Sequence, residues 1–533
     1  MTSLRSAPRH TVSRRRLLAT GGVAMLASAL AAACSGSAPS PTAAPAAKPP
    51  QPAPTTAAAS APAPTAAQPT TAAAQPTAAA QPTTAAAQPA TAATTTSPAA
   101  AQPAAAGASG APVVPLYKVS TGSKPFLDEA GAAFTKLHPE IKLEPIYVNG
   151  DEYDTKADLM IAAGTPPSLF YPAWTRSYRY YAARDLVLNL DPLVQRDNYS
   201  LEDFAPRQLA GCKWKGSLLG MPKSHSVWAL FYNKTLFDKA KITYPPTDWK
   251  DASWTWDKFL EYAKALTVTS GGKVQQYGAG SDFGTGWPSG WSHGGDFFNH
   301  DWQDTGWITK YTAPDEQPTI DAVQFWADLS NKLHYSPTPA ETQATQAGAP
   351  NPFMTGRIAM FFEYTGQLNQ YAKITDFEWG IAAWPHQTGA QQPTHHGAWM
   401  DQWAIFKATK NVEGSWEFLK YIAGPEGALI ADVKRGSQTS RRSLGQAWID
   451  QWKGQLPKVD PKQFQVVVDA MAFDSLTPDN WSVNFSPLDS KVLSPALDKV
   501  SLGQQSAADA LKGIKPQMDA AIADTLKSMG YSG

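Results

Sequence analysis

Between Ser35 and Pro112 the chain has one charged residue, Lys48, and no aromatic residue, so this stretch cannot build a core. A near-repeat, Thr-Ala-Ala-Ala-Gln-Pro, recurs there between Thr70 and Pro103. Repeats of about 20 to 50 residues stack into solenoids, but a short polar repeat has no apolar side chains to stack. Alanine favours helix, yet proline returns too often for one to propagate. The expectation is a disordered, partly polyproline-like spacer, with a ceiling of about 240 Å and a mean span of about 50 Å as a coil. Whatever folds must lie beyond it, in residues 113–533.

Ahead of the spacer, Arg5, Arg9, Arg14, Arg15 and Arg16 precede an apolar run from Leu17 to Ala33. A cationic region followed by an apolar one is the pattern of an export signal, and the run is too short and Ala-rich for a membrane span. Ser13-Arg14-Arg15-Arg16-Leu17-Leu18 resembles the twin-arginine signal. Leu30-Ala31-Ala32-Ala33-Cys34 resembles the bacterial lipoprotein cleavage site, where the Cys is acylated and becomes the new N-terminus. The leucine stands four residues before the Cys rather than three. The other reading is ordinary cleavage at an Ala-x-Ala site, with Cys34 incidental. The expectation is lipidation at Cys34, export, and anchoring to the outer face of the cytoplasmic membrane, at the cell surface or in a periplasm.

The overall balance of 45 basic and 45 acidic residues is misleading, because setting aside the five leader arginines leaves 40 against 45, a net of −5. An acidic chain without Lys/Arg runs argues against nucleic acid as a partner. Residues 113–533 are enough for two lobes. They contain one cysteine, Cys212, so no disulfide forms within them, and nothing resembles a zinc cluster. All 19 tryptophans lie in this part; large rigid aromatic faces serve both packing and ligand contact.

Val113 to Val119 reads as a first buried strand, followed by a loop and by helical apolar spacing from Pro125 to Leu137. Ile141 to Val148 reads as a second strand, Asp151 to Ala163 as a helix stopped at Gly164-Thr165-Pro166-Pro167, and Ser168 to Tyr171 as a third strand. This alternation predicts a largely parallel sheet covered by helices. Ligands of such sheets sit beyond the carboxyl ends of the strands, which points to the loops at 121–124 and 171–174.

Five ordered blocks then carry a resemblance. Gly216-Ser217-Leu218-Leu219-Gly220-Met221-Pro222 leads into Leu230-Phe231-Tyr232-Asn233-Lys234-Thr235-Leu236-Phe237 and Trp254-Thr255-Trp256-Asp257-Lys258-Phe259. The others are Ala162-Ala163-Gly164-Thr165-Pro166-Pro167; Phe353-Met354-Thr355-Gly356-Arg357-Ile358-Ala359-Met360; Trp379-Gly380-Ile381-Ala382; and Trp403-Ala404-Ile405 with Trp416-Glu417-Phe418-Leu419. Their order resembles the extracellular solute-binding proteins of ABC importers, in the carbohydrate-binding family that includes maltose-binding protein. The chain departs from that pattern at Thr439-Ser440-Arg441, where Pro-x-Arg is common, and in the aromatic- and Gly-rich stretch from Ser281 to Tyr311.

The resemblance implies an α/β, two-lobed, periplasmic-binding-protein-like fold, each lobe a sheet covered by helices, with the ligand cleft between the lobes at the hinge. The expected organisation is an export signal at 1–33 and the acylated Cys with its tether at 34–112. An N-terminal lobe would take 113–223 and 395–432, and a C-terminal lobe 224–394 and 433–533. Hinge closure is the expected motion.

Gly290-Trp291-Ser292-His293-Gly294 matches the nucleophile elbow of hydrolases, but the Gly- and Pro-containing residues before it cannot form the buried strand that elbow needs. His395-His396 has no third ligand at metal-binding spacing, and Gly271-Gly272-Lys273 lacks the Ser/Thr of a phosphate loop. No catalytic residue, metal or cofactor is therefore expected. Trp287 and Trp291 are the favoured stacking walls for sugar rings, since Gly294-Gly295 follows at the family's spacing; Trp302 and Trp307 share the same stretch. Asp282, Asp296, Glu363, Asp401 and Arg441 could hold hydroxyls by charge-assisted hydrogen bonds. The loops at 121–124 and 171–174 contribute Ser123 and Trp174, and the resemblance adds His225 and Trp228 after the first crossover, and Trp399 beside Asp401. The expected function is a non-enzymatic, monomeric sugar-binding protein that delivers its ligand to importer membrane subunits. The alternatives are an anchored carbohydrate-active hydrolase, or a binding protein for a polyamine, glycerol phosphate or peptide.

Overall fold

The computed structural model describes residues 110–531 except 120–121, 172–177, 347–348, 388–395, 473 and 477–481. The strands among these are β1 (Pro115–Val119), β2 (Ile146–Asn149), β3 (Leu169–Phe170), β4 (Lys213–Trp214), β5 (Ser217–Leu218), β6 (Met221–Asn233), β7 (Val268–Ser270), β8 (Lys273–Gln276), β9 (Met360–Tyr364), β10 (Trp379–Ala382), β11 (His396–Ile405), β12 (Gln438–Thr439) and β13 (Asp474–Leu476). Nine of them form one sheet in the order β10-β6-β11-β3-β1-β2, with β9 and β12 also on β6 and β13 on β11.

The two helices expected near the start of the fold form, whereas the second strand, expected over Ile141 to Val148, is confined to Ile146–Asn149 with an isolated bridge at Leu143. The first helix spans Lys124–Leu137 with Pro125 in its first turn, and it buries Leu127, Ala130 and Phe134 on one face. The second spans Tyr153–Ala162 after a single 3-10 turn. It stops where Gly164 takes a φ of +70°, a left-handed conformation that glycine adopts without a Cβ clash.

β1 pairs in parallel with β2 and β3, as the strand–helix alternation predicts. Beyond these, the only other parallel pair among the described strands is β11 with β13. β6 runs antiparallel to β9, β10, β11 and β12, and β11 runs antiparallel to β3. The reason is the path of the chain: β6 carries it across the molecule and β11 brings it back, so the two must oppose.

β6 also changes partners along its length. Met221–Val227 lies along β11, whereas Trp228–Asn233 lies between β9 and β10. Each end of the sheet has its own core. One gathers Leu127, Phe134, Trp403, Trp416 and Leu419; the other gathers Phe231, Phe259, Phe362, Trp384 and Trp448. The molecule is thus two-lobed, with β6 and β11 spanning both lobes. The stretch from Ser281 to Tyr311 forms the short helices Pro288–Trp291 and Trp302–Thr305. It packs with the helix Gln317–Asn331 and with the helices beyond Phe485. Among the described residues no helix is long and apolar enough to cross a membrane.

Candidate functional site

Successive side chains of a strand alternate between faces, so Ser224, Ser226 and Trp228 share one face of β6. Ser226 stands opposite Trp399, which puts Trp399 on that face, and the pairing register shifts between Met400 and Gln402. The irregularity centres on Asp401, whose carboxylate accepts a hydrogen bond of 3.1 Å from the Ser224 hydroxyl. One face of the hinge therefore carries Ser224, Ser226, Trp228, Trp399 and Asp401, of which Ser226, Trp399 and Asp401 are half-buried and Ser224 and Trp228 are buried behind them. The opposite face carries Val227, Ala398 and Met400, all buried in core.

Asp401 lies among three cations. Burial by itself would raise its pKa; Lys118, Lys223 and Arg435 outweigh that and hold the carboxyl below its usual range. Lys118 is itself buried, which lowers its pKa, with Asp401 opposing and Lys223 and Arg435 reinforcing that shift. The two lysines lie 5.4 and 5.0 Å from the ring of Tyr171, whose hydroxyl donates to the Lys118 carbonyl. Lys223 forms a 2.7 Å ion pair with Asp432.

On the other lobe a second cluster faces Trp228. The Trp228 indole N–H donates to Asp282 at 2.9 Å. Asp282 and Glu363 are hydrogen-bonded to each other, and both carboxyls are pushed above their usual range, chiefly by burial. The mutual bond favours the ionised form of Asp282 and, together with the Asp282 charge, the neutral form of Glu363. Glu363 is buried and also accepts from the Asn351 amide and the Tyr364 backbone N–H. Asp282 remains solvent-accessible although dense protein surrounds its carboxyl, the condition of a group on the floor of a cleft. Trp228 lies edge-on to Trp287, Phe283 and Tyr364, with centroids 6.1 to 6.5 Å apart.

The structure thus unites Trp228, Asp282, Trp287 and Glu363 on one side of the hinge, and brings Trp399 and Asp401 together on the crossing strands. Ser123 is buried at the N-cap of the first helix. Trp291 and Asp296 lie elsewhere, on a cavity of about 490 Å³ that includes none of the hinge-face residues. Trp291 is only 5% exposed, too little to offer a ring face. Asp296 is buried, with its pKa pushed up to about 6 by burial, and is held by the backbone N–H groups of Phe297 and Phe298. Trp302 is fully buried and packs as core. A larger cavity of about 870 Å³, lined by Trp214, Trp307 and Tyr531, is also separate from the hinge face.

Two expectations are corrected. His225 lies on the buried face of β6, one residue out of register with the open face. Arg441 is drawn to the first lobe: its guanidinium donates to Asp203 at 3.0 Å, to the Tyr199 hydroxyl at 2.7 Å and to the Ala423 carbonyl. Trp174, Cys34 and His395 lie outside the described residues. Ser292 is fully buried, and its hydroxyl donates to the Ser289 carbonyl and accepts from the Trp326 indole, so the elbow-like motif is structural. Among the described residues no group of three or more His, Cys, Asp or Glu is placed to hold a metal. Sequence reasoning overlooked Lys118 and Tyr364. The signal for Lys118 was available: a lysine inside the apolar strand Pro115–Val119 must have buried partners.

A two-lobed fold with this hinge face defines a solute-binding protein. The chain belongs to the family of bacterial extracellular solute-binding proteins, whose pattern matches residues 118–429. It is 23% identical over 363 residues to the sn-glycerol-3-phosphate-binding periplasmic protein UgpB of Pectobacterium atrosepticum, covering 62% of this chain and 74% of that protein. In structure it is similar to the ABC substrate-binding protein Lmo0181 of Listeria monocytogenes in complex with cycloalternan, with a TM-score of 0.61, 20% identity, and coverage of 79% of this chain and 99% of that one. The cyclic alpha-maltosyl-1,6-maltose binding protein of Arthrobacter globiformis is similar to it at a TM-score of 0.61 and 18% identity, with 78% and 99% covered.

Proposed function

We propose that this protein is the lipid-anchored, non-enzymatic binding component of an ABC importer, and that it captures a sugar or oligosaccharide by closing its lobes. The observation that carries the reading is the hinge face, where tryptophan rings stand beside carboxylates and serine hydroxyls. Sugar rings have apolar faces for aromatics and hydroxyl rims for charge-assisted hydrogen bonds. The names of the Arthrobacter and Listeria proteins support the same ligand class. The proposed lobe boundaries are near 223–224, within β6, near 394–395, ahead of β11, and near 432–433, in the turn Leu429–Val433. Closure stabilised by ligand, with the closed form docking on the permease, is the proposed means of delivery.

Calorimetry against mono- and oligosaccharides tests the reading directly. Trp399→Ala is expected to weaken saccharide binding about tenfold, the contribution of an aromatic contact, with the melting temperature unchanged. Turnover of a glycoside without stoichiometric binding would overturn the proposal. The glycosidase alternative is disfavoured by the carboxyl pair, because a retaining enzyme holds its two carboxyls about 5 Å apart whereas Asp282 and Glu363 share a hydrogen bond.

One observation favours a second reading. Lys118, Lys223 and Arg435 surround Asp401, and the Pectobacterium relative is named for sn-glycerol 3-phosphate. Glycerol phosphate therefore belongs in the calorimetric panel; the sugar reading is preferred because Asp401 and Asp432 offset two of these three cations and leave one positive charge for a dianionic phosphate. The proposed anchor is the lipid on Cys34. Cys34→Ser should move the protein from the membrane fraction to the soluble one, and continued membrane retention would exclude that anchor.

A further inference from the structure

The cavity of about 490 Å³ beside Trp291 falls in the range of small-molecule sites, and its walls come from distant parts of the chain. On one side is Arg207, in the helix Pro206–Gly211, whose entry is fixed by the Ala205 N–H donating to the Ser440 carbonyl at 2.9 Å. On the other are the edge of Trp291, the Gly294-Gly295 backbone and Asp296, with His300, whose ring lies 3.9 Å from the Asp296 carboxylate, and with Gln303 and Asp304 completing the lining.

These walls are held rigidly. A Cβ on Gly295 would lie 2.2 Å from the Thr319 hydroxyl oxygen and 2.5 Å from its backbone nitrogen, so only glycine lets this corner seat on the helix Gln317–Asn331. The Gln303 carbonyl accepts from Arg179 at 3.0 Å, and the Gly306 carbonyl accepts from the Val483 N–H at 2.8 Å. A Cβ on Gly306 would lie 2.3 Å from the Trp214 ring. Inside this rigid frame, by contrast, three polar groups are uncommitted. Among the described residues the Arg207 guanidinium, the Gln303 amide and the Asp304 carboxylate have no hydrogen-bond or ion-pair partner.

The uncommitted groups supply both donors and acceptors, and charges of both signs. That combination suits a neutral, polyhydroxylated unit rather than an ion of one sign. The cavity neighbours the hinge face through a chain of edge-to-face rings: Trp291 is 5.2 Å from Trp287, which is 6.1 Å from Trp228. We propose that this cavity is a distal saccharide subsite, so that the ligand is an oligosaccharide lying with one end at the hinge face and another unit between Arg207 and Gln303. The proposal rests on the saccharide reading given above.

The test is calorimetry of the full chain with gluco-oligosaccharides of increasing length, from monosaccharide to pentasaccharide. The wild type is expected to gain about tenfold in affinity once the chain is long enough to reach the cavity, the worth of one charge-assisted hydrogen bond. Arg207→Ala and, independently, Gln303→Ala are expected to remove that gain while leaving the affinity for the shortest binding ligand unchanged. Affinity independent of length, or equal losses for short and long ligands in both variants, would overturn the subsite and leave the saccharide reading standing. If no saccharide of any length binds, the saccharide reading falls and this proposal falls with it.

Discussion

Replacing Lys223 by methionine is expected to destabilise the protein by about 3–5 kcal/mol, the cost of breaking a buried ion pair from one side. The Lys223 and Asp432 side chains are 3% and 1% exposed and their charged atoms are 2.7 Å apart. The ammonium also donates to the Ser224 hydroxyl at 3.3 Å and faces the rings of Tyr171 and Trp403. One Asp432 oxygen is already buried without a hydrogen-bond partner. Without the lysine, the carboxylate would keep only the Arg435 guanidinium, 3.7 Å away. Because Lys223 lies on β6 and Asp432 in the π-helical turn Leu429–Val433 shortly before β12, the pair also ties two crossing segments together. The double variant Lys223→Met, Asp432→Leu should recover most of the loss, since it removes the orphaned charge along with its partner. Urea denaturation of wild type, single and double variants measures this. A single variant no worse than the double would mean that the pair holds no net charge worth compensating.

What could be read in the sequence follows the range of the interactions involved. Apolar spacing with Pro125 and Gly164 marked the first two helices, because those signals act within a turn or two of chain. The stretch holding His225 and Trp228 was expected to face the cleft, but which of its residues share a face could not be read. A strand alternates at every residue, so His225 and Ser226 share a neighbourhood in sequence and opposite surroundings in space. The Asp282–Glu363 pair joins residues far apart in the chain, and no local pattern announces that two acids will share a proton. Arg441 illustrates the converse. Its position near a crossing segment suggested the cleft, yet Asp203 and Tyr199 offered partners that only the folded chain brings within reach. Trp287 and Trp291 are four residues apart, but Phe297 closes over Gly290 and the ring of Trp291 is buried while that of Trp287 stays partly open.

The carboxyl pair gives the second large effect, and its sign follows from which side of the folding equilibrium holds the proton more tightly. The folded state raises the Glu363 pKa, by burial first and then by the charge of Asp282. The folded protein therefore binds this proton more strongly than the unfolded chain does. Its contribution to stability is complete below the unfolded glutamate value of about 4.3 and is lost as pH rises through the folded value. Glu363→Gln removes the titration and lets an amide N–H donate permanently to Asp282, but the Asn351 amide and the Tyr364 N–H bond to different Glu363 oxygens, so the variant's one carbonyl keeps only one of those two bonds. The variant therefore starts below wild type near pH 4 by the worth of that bond, and should gain about 1–3 kcal/mol on wild type between pH 4 and pH 8, the penalty for a buried group left without its proper partner. Among the groups common to both proteins only Asp282, raised to about 6 chiefly by burial and lowered by its bond to residue 363, changes with the substitution; the others cancel. Asp296, also raised by burial, adds the same decline with rising pH to each, while Asp401 and Asp203, held low by neighbouring cations and hydrogen bonds, weaken both only in acid. Thermal melts of the two proteins across that range are the measurement. Parallel profiles would mean that Glu363 is ionised in the folded state. A ligand hydroxyl would then meet two competing carboxylates on the cleft floor, instead of one acceptor, Asp282, fixed from behind by a neutral acid and from the side by the Trp228 indole.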